Sequence, residues 1–488
     1  MNKLRSEGLQ LEYKKAKNSF PREAWKTYSS FANTKGGLLV LGINDDLTIE
    51  GVNDSNKIKK EFFDSLNNRN KVSQNILSDE NITVKNIEGK TVIEIFIPEA
   101  EYKSKPIYIN NNLNQSYIRD YEADRLVTEE ELKTLMRNSS DDLDNDLLNG
   151  FNINDLNQED LRRYREMLSK YNDRYQSMEF EDMLKEIGAY KLDRQNQEYK
   201  LTIGGLLFFG HYNSITEVIP HFHLDYQNKM NGANRWNDRL ATGDTRYPDL
   251  NLFSFFNITL EKLTHTINQS FELSDDMTRE DSTKDVITSL REALANALIH
   301  ADYRENLPIK VEVYDSYYIF KNPGTMKVSH AEFAKGGMSI PRNHTIMTLF
   351  RRVGICERAG TGGPHIMSAA EKHKFKFPDI ESDMVQTEIK IWKVDIADAH
   401  PYLSSDAKMI IKLLTKKMLP LSSTDIKNDL NLSKYFFDKS IKELLDEGII
   451  EVTGASRATK YRLKVSTPEY IANLHNMIKT LQDYQTFK

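Results

Sequence analysis

SEGLQLEYKKA (Ser6–Ala16) and FANTKGGLLVLGINDD (Phe31–Asp46) decide how the N-terminal part of this 488-residue chain is read. LLVLGI is a short apolar run closed by the turn-forming NDD, which predicts a buried strand. Before it, REAWKTYSSFANT sets Trp25, Tyr28 and Phe31 or Ala32 on one helical stripe. Ser19 is suited to cap that helix, Pro21 fits its first turn, and Gly36 and Gly37 end it. After the strand, ITVKNIEGKTVIEIFIPEA reads as a hairpin turning near Glu88 and Gly89. These elements predict a mixed α/β domain over residues 1–138. Glu12, Tyr13 and Lys14 read as extended, and Asp45 falls where a strand gives way to a loop. Glu7, Glu12 and Asp45 are therefore expected to converge. Three hard carboxylates suit Mg²⁺ or Mn²⁺, which lowers the pKa of a bound water and offsets charge on phosphate oxygens. Lys14 would stabilise phosphate charge at such a site. The plainer alternative leaves the glutamates as solvated surface charges and Lys14 as an exposed lysine.

The length predicts two to four domains. The chain has no apolar run approaching the ~18 residues a membrane span needs, and its N-terminus has no apolar signal region. The single cysteine, Cys356, excludes an intrachain disulfide framework and reads as a small buried hydrophobe. A cytoplasmic protein with no membrane partner is expected. A net charge of -6 argues against non-specific coating of nucleic acid, although Lys3, Arg5, Lys14, Lys15, Lys17, Arg22 and Lys26 make the N-terminus locally basic.

Residues 139–155, acidic and Asn-rich, read as a solvated linker. An α/β middle region over 156–284 is expected to pack on residues 285–398. It has helices at LNQEDLRRYREMLSKY and FEDMLKEIGAY, and strands at TIGGLLFFG and EVIPHFHLDYQ. His221 and His223 would share a strand face, more simply as half-buried residues than as metal ligands. Arg235, Trp236 and Arg239 read as a surface loop anchored by its tryptophan, with base stacking as the alternative.

In SLREALANALIH, Glu292 and Asn296 fall on one helix face, with His300 slightly further round. Asn322, Pro323 and Gly324 form a turn. Gly360, Thr361, Gly362 and Gly363 open a later helix, where backbone N–H groups and the helix dipole favour phosphate. At the C-terminus, residues 401–464 read as helix, helix, helix and a two-stranded wing, and 465–488 as a closing helix.

Three resemblances add to this reading. Glu7, Glu12, Tyr13, Lys14, Phe31 to Thr34, Gly36, Gly37, Gly42 and Asp45, with Tyr117 to Arg119 after Lys105 and Pro106, resemble the Schlafen core, the AlbA-like or divergent AAA-4 domain. The resemblance implies catalytic acids at Glu7, Glu12 and Asp45, a metal-dependent endonuclease acting on RNA (tRNA-like) or DNA, and an association with phage defence; other members are only nucleic-acid binders. REALANALIHADY resembles the nucleotide-binding box of divergent GHKL-type ATPases found in RecG-like transcriptional regulators. It implies an ATP site over residues 285–398, with Glu292 orienting water, Asn296 holding Mg²⁺ and Gly360, Gly362 and Gly363 forming a phosphate lid. Such domains commonly work in pairs, which implies a homo-oligomer. Asn322 stands where that family places an aspartate; asparagine offers a donor as well as an acceptor, which leaves base selectivity open.

The C-terminal spacing resembles a winged helix-turn-helix, with Lys434, Tyr435, Lys439 and Lys442 facing nucleic acid and Arg457, Lys460 and Arg462 on the wing. The expected fold class is α/β multidomain. The function expected is an ATP-regulated, metal-dependent endonuclease, because carboxylates repel phosphate and a pure binder has no electrostatic reason to keep three of them; the alternative is an ATP-responsive DNA-binding transcriptional regulator without nuclease activity.

Overall fold

A computed structural model describes residues 4, 6–139, 143–232, 235–271, 279–356, 360–417, 419–454 and 458–464. Arg457 and the expected helix over 465–488 lie outside them. The chain forms two compact units, residues 1–141 and 142–488.

The first unit is built on a four-stranded sheet in the order Leu11–Lys14, Gly37–Leu41, Lys90–Ile97, Ile82–Ile87. The first two strands are parallel, with Leu11 opposite Leu38 and Lys14 opposite Leu41; the other pairings are antiparallel. A parallel pair needs a crossover, and helix Ala24–Asn33 supplies it. Every residue of that helix except Lys26 is buried, and Trp25 stacks on Phe62 at 5.3 Å between ring centroids. Glu88 and Gly89 both have positive φ, 52° and 79°, as a two-residue turn between twisted strands requires.

The FANTKGG run is explained by packing. Asn33 is buried; its amide donates to the carbonyls of Ile107 (2.8 Å) and Tyr117 (2.9 Å), and its Oδ1 accepts from the Ile107 N–H (2.7 Å). Gly36 has φ 68°, and a Cβ there would lie 2.8 Å from the Ile97 carbonyl oxygen. At Gly37 a Cβ would meet the Phe31 ring at 2.7 Å.

The second unit contains a six-stranded sheet in the order Asp238–Ala241, Leu224–Asn228, Ile309–Val313, Tyr317–Pro323, Gln386–Trp392, Asp379–Ser382. One face packs on helices, with Tyr226, Val311, Tyr318, Phe320, Ile389 and Ile391 in the core. Residues 405–463 add helices Ser405–Lys417, Ser423–Leu430 and Lys434–Asp446. A three-stranded sheet in the order Leu421–Ser422, Lys460–Leu463, Ile450–Thr453 accompanies them, over a core of its own.

Three expectations need correction. TIGGLLFFG is not a strand: Ile203–Phe209 is a helix, capped by Thr202, whose Oγ1 accepts from the Gly205 N–H at 3.0 Å. The run is buried on all sides, so it carries no period to separate helix from strand. EVIPHFHLDYQ is a strand only from Leu224, which leaves His221 and His223 before it. The acidic stretch from Ser139 is not simply a solvated linker. Asp144 is buried and its Oδ2 accepts from the Ile346 N–H at 2.7 Å, satisfying an orphan donor at the start of helix His344–Arg352.

Candidate nucleotide site and the N-terminal acidic pair

Helix Arg279–Ile299 packs against strand Tyr317–Pro323 and helices Leu252–Phe271 and Gly362–Lys372. Leu290, Ala293, Leu294, Ala297 and Leu298 hold it there. Its polar positions therefore reach a cavity rather than open solvent. Glu292, Asn296, His300, Asn322, Gly360, Thr361, Gly362 and Gly363 all line that cavity, which measures about 980 Å³ out to its open mouth. Gly362 sits directly on the Glu292/Asn296 face: a Cβ there would lie 2.9 Å from Asn296 Nδ2 and 3.1 Å from Glu292 Oε2. Gly363 packs against the Phe333 backbone, where a Cβ would come within 1.9 Å of the carbonyl oxygen.

Gly324 stands behind the wall, with φ 97° and the Arg342 guanidinium 3.0 Å from where its Cβ would be. Cys356 lines the cavity and is buried, its Sγ donating to the Met347 carbonyl at 3.7 Å.

Several lining or supporting residues carry no sequence pattern. Thr387 lies opposite Asn322 in the ladder between two strands far apart in the chain. Lys327, Phe320 and Ile389 also line it. Arg342 and Asn343 satisfy the end of the Glu292 helix: Arg342 Nε donates to the His300 carbonyl (3.1 Å), and the Asn343 amide donates to those of Ile299 (2.9 Å) and Ala301 (2.7 Å).

Burial pushes the His300 imidazole from its ordinary 6.5 down to about 4, with Arg342 adding to the effect. The folded protein therefore refuses a proton that the unfolded chain accepts between these values. This contribution to stability is present above pH 6.5 and is lost as pH falls toward 4. His300→Gln is expected to flatten that part of the melting-temperature profile, as thermal unfolding at pH 7, 6, 5 and 4.5 would record; parallel profiles would contradict it.

In the N-terminal unit the three acids are not brought together. Glu12 shares the helix-facing side of the sheet with Leu39, its register partner. It is buried, accepts from Arg119 Nη2 at 2.6 Å and pairs with Lys14. Arg119, itself buried, also donates to the Gly8 carbonyl (2.9 Å) and to Asp124 (2.9 Å), and its guanidinium lies 5.3 Å from the Phe31 ring centroid. Asp124 in turn accepts from Thr27 (2.6 Å) and Ser30. Glu7 is half-buried and its Oε1 accepts from the Tyr13 N–H at 2.8 Å. Burial raises its pKa; the Tyr13 N–H counteracts this and the nearby Glu12 adds to it. Asp45 is carried beyond the strand into the turn closed by the Asn44 N–H to Thr48 carbonyl bond, and is exposed. Among the described residues no group of three or more His, Cys, Asp or Glu is placed to hold a metal ion.

His221 and His223 do not form a pair of ligands either: His221 is exposed and His223 Nδ1 lies 2.8 Å from Thr242 Oγ1. Trp236 is flanked by the guanidinium groups of Arg235 (5.0 Å) and Arg239 (4.8 Å). Lys434, Tyr435, Lys439 and Lys442 are exposed on helix Lys434–Asp446 and Lys460 on its hairpin, whereas Arg462 is paired with Glu451 at 2.6 Å. No helix among the described residues is long and apolar enough to cross a membrane.

Fold and site together define a multidomain α/β protein with a glycine-lined cavity at the end of a polar-faced helix. Family models agree. Residues 7–128 match "Schlafen, AlbA_2", and residues 307–391 match "Putative ATP-dependent DNA helicase recG C-terminal". Residues 133–225 match a domain of unknown function, DUF8451. The chain thus carries a Schlafen AlbA_2 domain followed by a RecG-type C-terminal domain, a combination that is nucleic-acid-related.

Solved structures similar to the chain include two with the following extents. The DIP2311 protein from Corynebacterium diphtheriae is 16% identical, covers 93% of this chain and 95% of its own, and has a TM-score of 0.39. The N-terminal domain of a RecG-related protein from Nitrosomonas europaea is 23% identical over 25% of this chain and 86% of its own, with a TM-score of 0.19. No curated protein matches the chain.

Proposed function

We propose that this chain is an ATP-responsive nucleic-acid-binding protein. The observation that carries the reading is the cavity itself: Glu292, Asn296, Asn322 and the Gly360–Gly363 turn, dispersed over some seventy residues, line one space. Asn296 would hold Mg²⁺ through its side-chain oxygen, the backbone N–H groups at the start of helix Gly362–Lys372 would take phosphate, and Asn322 with Thr387 would meet the base. Bound Mg²⁺ would supply charge neutralisation at the phosphates. The Schlafen domain, and the exposed Lys434, Lys439 and Lys460 in a winged-helix role, would contact nucleic acid. Calorimetry should record Mg²⁺-dependent ATP binding by the wild type and at least about tenfold weaker binding by Asn296→Ala, the scale of one lost charge-assisted contact. Nucleic-acid affinity should differ with and without ATP. No ATP binding by the wild type would remove the reading.

A metal-dependent endonuclease is the second reading. It is favoured by the proximity of Glu7 and Glu12, close enough for each to act on the other's charge, with Lys14 beside them. Against it, Glu12 is engaged by Arg119 and Asp45 lies in an exposed turn beyond the strand. Incubation with Mn²⁺ and RNA, single-stranded DNA or duplex DNA separates the two. Cleavage that disappears in Glu7→Gln, a half-buried position outside the Arg119 brace, would establish the nuclease.

A further inference from the structure

Strand alternation gives the six-stranded sheet of the second unit two unlike faces. Tyr318, Phe320, Ile389 and Ile391 enter the core beneath the helices, so Tyr317 and Lys321 on one strand, and Lys390 and Trp392 on its neighbour, belong to the opposite face. A solvated sheet face ordinarily carries plain polar residues. This one carries a row of rings. Tyr314 lies 4.7 Å from Tyr317 between ring centroids, and Tyr317 lies 5.1 Å from Trp392. All three are half-buried, and the Trp392 indole Nε1 donates to Asp379 Oδ2 at 2.9 Å, which fixes that ring in place.

Cations are set along the row. Lys390 Nζ is 5.1 Å from the Tyr317 centroid and 5.6 Å from that of Trp392, and Lys229 Nζ is 5.5 Å from that of Tyr314. The carboxylates of this face are already matched. Glu312 is buried and accepts from Lys229 at 2.6 Å, Glu388 accepts from Lys321 at 2.7 Å, and Asp379 accepts from Lys376 at 2.6 Å. Glu381 stands opposite Glu388 on the edge strand, away from the aromatic row. Lys390 pairs with no carboxylate among the described residues, and its amine sits between the two rings.

Partly open rings flanked by an unneutralised amine suit a single strand. Its unpaired bases can stack on rings whatever their identity, while the amine meets phosphate. A duplex keeps its base faces inside, and its major groove admits a helix or a two-stranded ribbon, not the face of a six-stranded sheet.

We infer that this face is a platform for single-stranded nucleic acid, with Tyr317 and Trp392 stacking bases and Lys390 taking phosphate. The inference rests on the reading of the chain as a nucleic-acid-binding protein, and it adds a surface outside the Schlafen domain and residues 405–463.

The test is fluorescence anisotropy of the full chain with labelled oligouridylate, labelled oligothymidylate and a labelled duplex of the same length, over a series of salt concentrations. The proteins are the wild type, Trp392→Ala, Trp392→Phe and Lys390→Gln, each with a melting curve. Trp392→Ala should weaken single-strand binding at least about fivefold, the lower end of what one stacked base contributes, and leave duplex binding unchanged. Trp392→Phe, which keeps a ring without the Asp379 bond, should recover most of that affinity. Lys390→Gln should make the single-strand salt dependence shallower by about 0.7 in log–log slope, the share of one phosphate contact. These losses with either oligonucleotide support the inference, and the tighter-bound one tells which sugar the platform takes. Unchanged single-strand affinity in Trp392→Ala overturns the inference alone, as does wild-type binding of duplex only, or an equal loss for single strand and duplex. If Trp392→Ala does not fold, an unchanged salt slope in Lys390→Gln overturns it instead. Binding of no nucleic acid by the wild type overturns the wider reading along with it.

Discussion

Arg119→Met is expected to destabilise the N-terminal unit by about 3–5 kcal/mol, the usual consequence of removing one partner from a buried ion pair. The guanidinium has no exposed side-chain surface and joins Glu12, Asp124 and the Gly8 carbonyl. In doing so it ties strand Leu11–Lys14 to the ribbon formed by Tyr117–Asp120 and Ala123–Leu126. Methionine fills much of the volume and supplies none of the donors, so the Glu12 carboxylate would remain buried with only the half-exposed Lys14 beside it. Hydrogen exchange resolved by peptide should show protection lost across residues 7–34 and 117–126 and kept in residues 285–392. Glu12→Gln should do less damage, because a neutral acceptor remains for Arg119. Unchanged exchange in Arg119→Met would mean the brace contributes nothing, and Glu12 would return to being a candidate for chemistry alone.

Gly363→Ala is the second large effect. The new Cβ would lie 1.9 Å from the Phe333 carbonyl oxygen, a backbone atom that cannot rotate away. Helix Gly362–Lys372 must therefore shift from the short helix His330–Lys335, and the cavity wall opens. Overpacking of this kind costs about 1–3 kcal/mol. Because the displaced turn is the one that sits on Glu292 and Asn296, ATP binding should fall below detection in calorimetry while the N-terminal unit keeps its exchange protection. Binding within a factor of two of the wild type would show that the turn does not shape the site.

Much of this protein is legible from local pattern. The Trp25–Tyr28–Phe31 stripe, the LLVLGI run and the Glu88–Gly89 turn each carry a period or a backbone requirement that the chain states locally, and the structure holds them as helix, strand and hairpin. REALANALIH likewise announced a polar face on an apolar helix. Patterns without a period misled: LLFF is apolar on every side, and the Asp-rich stretch looked solvated although Asp144 is buried under a helix end.

The sequence by itself determined which residues bear chemistry: acids at Glu7 and Glu12, an asparagine and a glutamate one helical turn apart, and glycines at a helix start. Tertiary structure alone decided which of them meet. Convergence depends on strand register and on partners over a hundred positions away, and local spacing encodes neither. Register sends Glu12 to the helix side of the sheet, where Arg119 neutralises it, and carries Asp45 past the strand end into solvent. The same kind of long-range pairing sets Thr387 opposite Asn322 on neighbouring strands and brings a scattered set of polar residues to one cavity.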